Sequence, residues 1–323
     1  MRMLQVCNVG RIMGGTAACA WTVVRSLPEF QHTVVFLSRV AAETRVEFGD
    51  CEIEQWDKVT AERVRRSGAD VVLLHNTSAR RVEGPLPVAT LLYQHSRITP
   101  AASDFRVYCS RWLAECCGAG PETVLHQAVP TPVGRERQFD TRALRGRPVV
   151  GRLCTPALRK WPEMLVGFYA ELAQRHPEVA WEFVGCPDKL QDSLHTACAG
   201  QAQFFEAAWS ARERLWHWDA LLYHHPTLTE SFGRTAAEAL RAGCIPIVDR
   251  RGGFQEQLIE GCGHLCTGIE EFSSAIATLS DPGEKLRQSR SCRAHGDREF
   301  SLQRFRDELL GRLRALAVGE TVY

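Results

Sequence analysis

The chain has 323 residues, with 39 Lys and Arg against 38 Asp and Glu, a formal net charge of +1 at pH 7. That balance excludes a dedicated nucleic-acid binder, which carries a clear basic excess, and no run of about 18 apolar residues exists to span a bilayer. The length fits two domains of ordinary size, each able to bury a core without a disulfide or a structural metal.

Short apolar runs alternate with longer amphipathic segments, the pattern of a parallel α/β layout. In the first half, strands are expected at 4–9, 33–37, 70–75, 88–93 and 106–109, with helices at 16–27, closed by Pro28, and at 59–67. The polar stretch 130–148, rich in Arg and Pro, reads as the domain boundary. A fresh alternation follows: strand 148–153, helix 162–174, strands 180–184, 203–205 and 220–223, helix 232–242, strand 245–248 and helix 253–260. Further helices close the chain, the last at 301–316. No internal repeat is found. The layout predicts two doubly wound, Rossmann-like α/β halves, 1–140 and 141–300, and a terminal helix at 301–323 that crosses back to the first. Ligands of such sheets bind beyond the carboxyl ends of the strands, here in a cleft between the halves.

The most informative segment is Thr229-Glu230-Ser231-Phe232-Gly233-Arg-Thr-Ala-Ala-Glu238. A helix beginning near Ser231, Phe232 and Gly233 offers unpaired N–H groups and a positive dipole end to a phosphate, and Gly233 lets a ligand approach the backbone. Glu238 lies seven residues after Ser231 on about the same face, where a carboxylate accepts from vicinal hydroxyls such as those of a ribose. Glu230 stands ahead of the helix, where a hexose would lie. Without its surroundings this pair reads as a solvated helix face with a salt bridge.

This stretch resembles the Glu-x7-Glu motif of retaining glycosyltransferases of the GT-B fold, family 4. The likeness continues through Gly243-Cys-Ile-Pro246, Gly252-Gly253 and Glu256. Upstream it takes in Val150-Gly151-Arg152-Leu153 with Lys160, then Trp181-Glu-Phe-Val184-Gly185 and Asp219-Ala-Leu-Leu-Tyr-His-His-Pro226. It is looser in the first half, through Gly14-Gly15, 70–75 and Val107-Tyr-Cys-Ser110. The resemblance implies two facing Rossmann-like domains, acceptor-binding first and donor-binding second. It implies Glu238 on the nucleotide ribose, Glu230 on the donor sugar, and Arg152 and Lys160 neutralising the departing diphosphate. Lys160 follows Arg152 by eight residues rather than the usual five and precedes Trp161, so Arg159 is an alternative phosphate ligand. Gly14 and Gly15 would form a loop near the phosphates, with the bare tight turn as the bland reading. His95, and less so His75, is placed as the His that positions the reacting sugar in relatives; a lone His at a strand end is as often structural.

The implied reaction is metal-independent transfer of a hexose from a nucleotide diphosphate sugar, by default a UDP-sugar, to an unidentified acceptor. No other cofactor is required, and no Asp-x-Asp motif marks a metal site. Alternatives are an epimerase or hydrolase of the same fold, or a non-catalytic nucleotide-sugar-binding scaffold. A dehydrogenase is poorly supported, because Gly10-Arg-Ile-Met-Gly14-Gly15 lacks the Gly-x-Gly-x-x-Gly spacing.

The 13 cysteines include no Cys-x-x-Cys pair, and free thiols in a reducing cytoplasm are expected. Cys262-Gly-His264-Leu-Cys266 lacks the further ligands of a zinc site and reads as a strand start. The apolar run 4–9 is too short for a signal peptide. A cytoplasmic protein is therefore expected. Arg63, Arg65 and Arg66 are the one cluster suited to peripheral contact with the inner membrane face, though such runs are usually solvated.

Overall fold

The computed structural model describes residues 1–134 and 146–318. The chain divides into two compact units, Met1–Val129 with the chain from Phe300 onward, and Pro130–Glu299. The boundary expected at 140/141 lies outside the described residues.

Fourteen strands occur among the described residues and are numbered in chain order. In the first unit β1 (Arg2–Cys7), β2 (Gln31–Phe36), β3 (Glu52–Gln55), β5 (Val71–His75), β7 (Ala89–Gln94) and β8 (Phe105–Tyr108) build one sheet in the order β3-β2-β1-β5-β7-β8. All its pairings are parallel. In the second unit β9 (Val149–Leu153), β10 (Ala180–Val184), β11 (Ala202–Phe205), β12 (Ala220–Tyr223), β13 (Ile245–Asp249) and β14 (His264–Cys266) repeat that order as β11-β10-β9-β12-β13-β14. The short β4 (Val59–Thr60) and β6 (Val82–Glu83) pair only with each other. Both sheets are thus doubly wound, with the strand order reversing between first and fourth strands, where such sheets take ligands. The central strands are mostly apolar because both of their faces are covered: every residue of β5 and β13 is buried, the polar His75 and Asp249 standing at their carboxyl ends.

Three sequence expectations shift for local reasons. The helix expected from 59 begins at Ala61, since Val59 and Thr60 are drawn into pairing with β6 and the Thr60 hydroxyl caps the helix by accepting from the Arg63 amide at 3.3 Å. The helix expected from 232 runs Arg234–Arg241, because Gly233 is its N-cap in the left-handed region at φ +85°. The helix expected at 253–260 is instead a 3-10 turn, Gly252–Glu256. That segment is held by backbone pressed on backbone. The Gly253 amide donates to the Glu230 carbonyl at 2.9 Å, and a Cβ on Gly253 would stand 2.4 Å from the Ser231 carbonyl oxygen. The helices Ala42–Phe48 and Asp188–Ala197 and the edge strand β3 lie where no element was expected.

The chain from Phe300 groups with the first unit through the helix Leu302–Val318, whose Arg306 donates to the Ser26 carbonyl at 3.0 Å and pairs with Glu29 at 2.7 Å. No described helix is long and apolar enough to cross a membrane. Of the basic cluster at 63–66, Arg63 is paired with Asp57 and Arg66 with Glu62.

In the second unit the helix Pro282–Glu299 is tied to the sheet by a buried ion pair, Lys285 Nζ to Asp219 Oδ1 at 3.4 Å, while Asp219 Oδ2 accepts from the Val149 amide at 2.8 Å. Removing one partner leaves the other charge uncompensated in low dielectric. Lys285→Met is therefore expected to cost about 3–5 kcal/mol in urea denaturation, and the paired change Lys285→Met with Asp219→Asn markedly less. Equal losses in the two variants would show that the ion pair is not what secures this helix.

Candidate functional site

The second unit gathers most of the expected site residues at its switch point, on the loops that follow β9 and β12. Arg152, on β9, is fully buried. Its guanidinium lies 4.8 Å from the Trp161 ring centroid and 4.7 Å from that of Tyr223, between two aromatic faces. One terminal nitrogen donates to the Lys160 carbonyl at 2.9 Å and the other to the His224 carbonyl at 2.8 Å. The cation that the resemblance directs at the diphosphate is thus engaged by main-chain carbonyls and rings, and it braces the two loops against each other. A lone Arg at a strand end carries no signal for that placement.

Lys160 is the basic side chain that reaches into the site. Its ammonium pairs with the Glu230 carboxylate, both side chains being less than one fifth exposed. Arg159, the alternative, is exposed, and its carbonyl instead accepts from His225 at 2.8 Å. The Tyr223 hydroxyl donates to Glu230 Oε1 at 2.5 Å. Burial pushes the Glu230 carboxyl up, but the Lys160 charge and the hydrogen bonds from Lys160 and Tyr223 pull it net below its ordinary value. Tyr223 moves strongly upward, through burial first and then the Glu230 charge, so it stays a phenol and a donor. Tyr223 is a residue that the sequence reading passed over; a polar tip ending the apolar run Leu-Leu-Tyr was the available signal.

Glu238 is fully buried on the helix Arg234–Arg241. Its Oε1 accepts from Arg212 Nε at 3.0 Å and lies 3.7 Å from Arg234 Nε, whereas Oε2 has no hydrogen-bond partner. Arg212 in turn stacks 4.1 Å from the Trp209 ring centroid. Nothing local in the sequence links Arg212 to a carboxylate 26 residues on. Gly233 heads the same helix without any side-chain cap, and a Cβ there would stand 2.2 Å from the Phe254 ring. That glycine is thus required by packing as well as by its φ. Ser231 is half-buried beside it and Phe232 is buried, with the Phe232 carbonyl accepting from the Gln257 amide group. The loop entering this turn is fixed by Asp249, which accepts from the His225 amide at 2.8 Å and bonds His224 Nδ1 at 2.7 Å.

In the first unit, Gly14 is the uncapped N-cap of the helix Gly15–Ser26, its amide donating to the Arg11 carbonyl at 2.8 Å. Gly14 and Gly15 thus form the turn into that helix. His75, the last residue of β5, is fully buried. Its Nδ1 lies 3.3 Å from His95 Nε2 and its Nε2 lies 2.8 Å from Gln5 Oε1. Gln5 Nε2 is 3.2 Å from His32 Nδ1, and His32 Nε2 is 2.9 Å from the Leu27 carbonyl. At the other end Gln127 Nε2 is 2.8 Å from His95 Nδ1. Cys19 approaches the same two histidines, the three ligand atoms lying within 4.8 Å of one another. This group was not expected from the sequence. At the zinc-like spacing 262–266, by contrast, His264 bonds Gln288 at 2.9 Å, and all 13 cysteines are free thiols.

No protein-family model matches the sequence, and no curated protein matches it. Solved structures do. HepE of Anabaena in complex with UDP and glucose is 17% identical, with a TM-score of 0.73 over 98% of this chain and 100% of that one. Sucrose-phosphate synthase of Thermosynechococcus elongatus is 14% identical, with a TM-score of 0.74 over 99% and 100%. AviGT4, a glycosyltransferase involved in avilamycin A biosynthesis, is 17% identical, with a TM-score of 0.66 over the whole of both chains. The fold is GT-B. At these identities the likeness carries the architecture, and chemistry has to be argued from the side chains.

Burial pulls the His75 imidazole from its ordinary value of 6.5 down to about 3, and it draws His32 in the same direction. Below that ordinary value the unfolded chain takes up protons that the folded chain refuses. Stability therefore falls as pH drops from about 6.5 toward 3, with His75 alone contributing up to about 1.4 kcal/mol per pH unit. His75→Gln is expected to flatten urea-denaturation stability against pH between about pH 6 and 4. A slope identical to that of the parent chain would show that His75 takes up its proton in the folded state too.

Proposed function

We infer that this chain is a retaining glycosyltransferase of the family 4 type, taking a nucleotide diphosphate sugar in its second unit, a UDP-sugar first among donors, and passing the hexose to an acceptor held by its first. The observation that carries this reading is Glu238. A fully buried carboxylate with one oxygen paired to Arg212 and the other unpartnered asks for a ligand that donates hydrogen bonds. A ribose diol does so. The helix that bears Glu238 begins at Arg234 without a side-chain cap, and Glu230 brings a second carboxylate to the loop just ahead of it. Pyrophosphate between the two carboxylates would meet the helix N-terminus and the Lys160 ammonium.

In the free protein Lys160 is paired with Glu230, so donor binding inserts an anion beside an ion pair already formed. The ammonium then faces phosphate, and the Glu230 carboxylate, still accepting from Tyr223, is left for sugar hydroxyls. As the glycosidic bond to the diphosphate breaks, negative charge grows on the phosphate oxygens, and a cation and a helix terminus already in place stabilise it without reorganisation. Arg152 acts here as a positioning residue, holding the main chain of Lys160 and His224. No side chain in the set is placed as a nucleophile, in keeping with a path in which the departing phosphate oxygen helps deprotonate the acceptor on the same face of the sugar.

The donor is identified by thermal-shift titration with UDP-, GDP- and ADP-sugars, since a ligand that binds only the folded chain raises its apparent stability. Glu238→Gln is expected to weaken donor binding on the order of tenfold or more, as loss of charged hydrogen bonds does, while the variant stays folded by circular dichroism. A purified variant with unchanged donor affinity and turnover would remove the basis of this reading.

Charge on the leaving group is met by Lys160 and the helix terminus, so turnover is expected to persist in EDTA. Activity abolished by chelator and restored by Mn²⁺ would refute that account of the leaving group. Release of free sugar or an epimerised donor in the absence of acceptor would assign the fold to hydrolysis or epimerisation instead.

A further inference from the structure

We propose that the buried hydrogen-bond chain of the first unit holds His95 in one neutral tautomer, proton on Nε2 and accepting lone pair on Nδ1, with His75, Gln5 and His32 as its positioning residues.

The chain is directional because it ends on a carbonyl. The Leu27 oxygen has no proton to give, so His32 Nε2, 2.9 Å away, must be the N–H. A neutral His32 then accepts at Nδ1, and the partner 3.2 Å off must be the Gln5 NH2 group. That choice turns the Gln5 carbonyl toward His75, whose Nε2 at 2.8 Å must donate. Neutral His75 accepts at Nδ1, so His95 Nε2, 3.3 Å away, is the donor. His95 is left with its lone pair on Nδ1, where Gln127 Nε2 donates at 2.8 Å. One fixed acceptor thus sets five donor–acceptor choices in a row. No amide orientation has to be assumed, since each follows from the link before it.

The chain lies on one face of the sheet, beneath the helix Gly15–Ser26. Met3 pairs with His32 and Cys7 with His75 in the parallel register, so Gln5, His32 and His75 share the face of β1, β2 and β5 to which side chains of alternate residues point. Gln5 and His75 are wholly buried and His32 is 8% exposed. The opposite face carries the apolar cluster of Leu4, Val6, Val35, Val72 and Leu74.

Two other roles for this cluster are disfavoured by its geometry. The His75 and His95 rings are within 7° of parallel, and their centroids are 5.6 Å apart. That separation exceeds the 3.3 Å between the nitrogens by about two ring radii. The N···N line therefore runs through both rings, each lone pair aimed at the other nitrogen rather than at a point shared with Cys19, as a metal would need. Proton conduction is stopped at Gln5, because an amide cannot take a proton on one atom and release another as imidazole does. The chain orients and does not conduct.

Applied to the reading above, His95 offers an acceptor to a hydroxyl that takes the place of Gln127. That step rests on the proposed transfer reaction; the tautomer does not.

The test is a long-range ¹H–¹⁵N correlation spectrum of the labelled full chain at neutral pH, with the three rings assigned from single His→Gln variants. His32, His75 and His95 are each expected to show a protonated Nε2 and a pyridine-like Nδ1. In Gln5→Leu, His95 is expected to average over both tautomers and turnover to fall on the order of tenfold, with the donor-induced thermal shift unchanged. Gln5→Glu can only accept, and is expected to put a proton on His32 Nδ1. A proton on Nδ1 of His75 or His95 in the parent chain would overturn the proposal, as would a His95 signal indifferent to Gln5→Leu. So would stoichiometric Zn²⁺ shifting both rings and protecting the Cys19 thiol. The parent spectrum decides even where a variant fails to fold. The expected tautomers in a protein that transfers no sugar would sustain this inference and defeat the functional reading instead.

Discussion

The second unit is organised around one buried cation. Arg152 is sandwiched by Trp161 and Tyr223 and donates to the carbonyls of Lys160 and His224. A guanidinium is suited to this because its planar fork reaches two acceptors while its faces rest on rings, which an ammonium cannot do. Those carbonyls belong to the loops after β9 and β12, the strands flanking the point where the strand order reverses. Each loop carries half of the charged pair, Lys160 on one and Glu230 on the other. Desolvating Arg152 is tolerable only while both carbonyls stay in place, so the cation specifies the loop conformation as much as the loops shelter the cation. The result is a site whose charged groups are positioned before any ligand arrives.

Much of this was legible in the sequence, and the rest was not, for identifiable reasons. Strands β10 and β12 have the bounds expected from their apolar runs, and β5 and β9 begin one residue inside theirs, because each is written mainly in apolar residues between polar stretches. Glu230, Glu238 and Gly233 stand out because they sit at short spacings around one helix start, whereas Lys160, 70 residues upstream of Glu230, stood out only through the family resemblance. The missed elements are amphipathic pieces of fewer than a dozen residues, such as Ala42–Phe48, and edge strands such as Glu-Ile-Glu-Gln, whose partly exposed side chains show no apolar run. The 3-10 turn at Gly252–Glu256 defeats a helical reading because its conformation follows from contact with residues 230–232, which no local window contains. For the same reason the sequence does not show what Arg152 touches: an Arg near a phosphate motif suggests a phosphate ligand, and only the packing shows that two of its donors reach the Lys160 and His224 carbonyls.

The two units share a strand order but use their switch points differently. In the second, the charged groups form two ion pairs, Lys160–Glu230 and Arg212–Glu238. In the first, β1, β2 and β5 and the residue His95 just after β7 bring together polar groups bonded to one another, with burial holding His75 well below its ordinary titration range. A neutral chain of hydrogen bonds suits that face, because the polar groups under the helix Gly15–Ser26 satisfy one another without introducing a charge that the surrounding core would have to stabilise.

On the proposed reading, the same contrast would let a preformed charged site favour the departing group over the bound donor. In the free protein Arg152, Lys160 and Arg212 each already have a carboxylate or a carbonyl, so little of their charge is left over to hold a ground-state ligand strongly. The exception is Glu238 Oε2, a buried acceptor left without a donor. Leaving such a group unsatisfied costs about 1–3 kcal/mol, and a diol that supplies the missing donor recovers it, anchoring the nucleotide end. The Lys160–Glu230 pair behaves oppositely. On the proposed reading its ammonium would be shared between carboxylate and phosphate, and the share going to phosphate would grow as charge accumulates there, since Coulomb attraction in a poorly solvated site scales with the charge present. Binding strength would thereby be concentrated on the unreactive nucleoside, and the response to developing charge on the reacting end, which is the division that raises turnover rather than affinity alone.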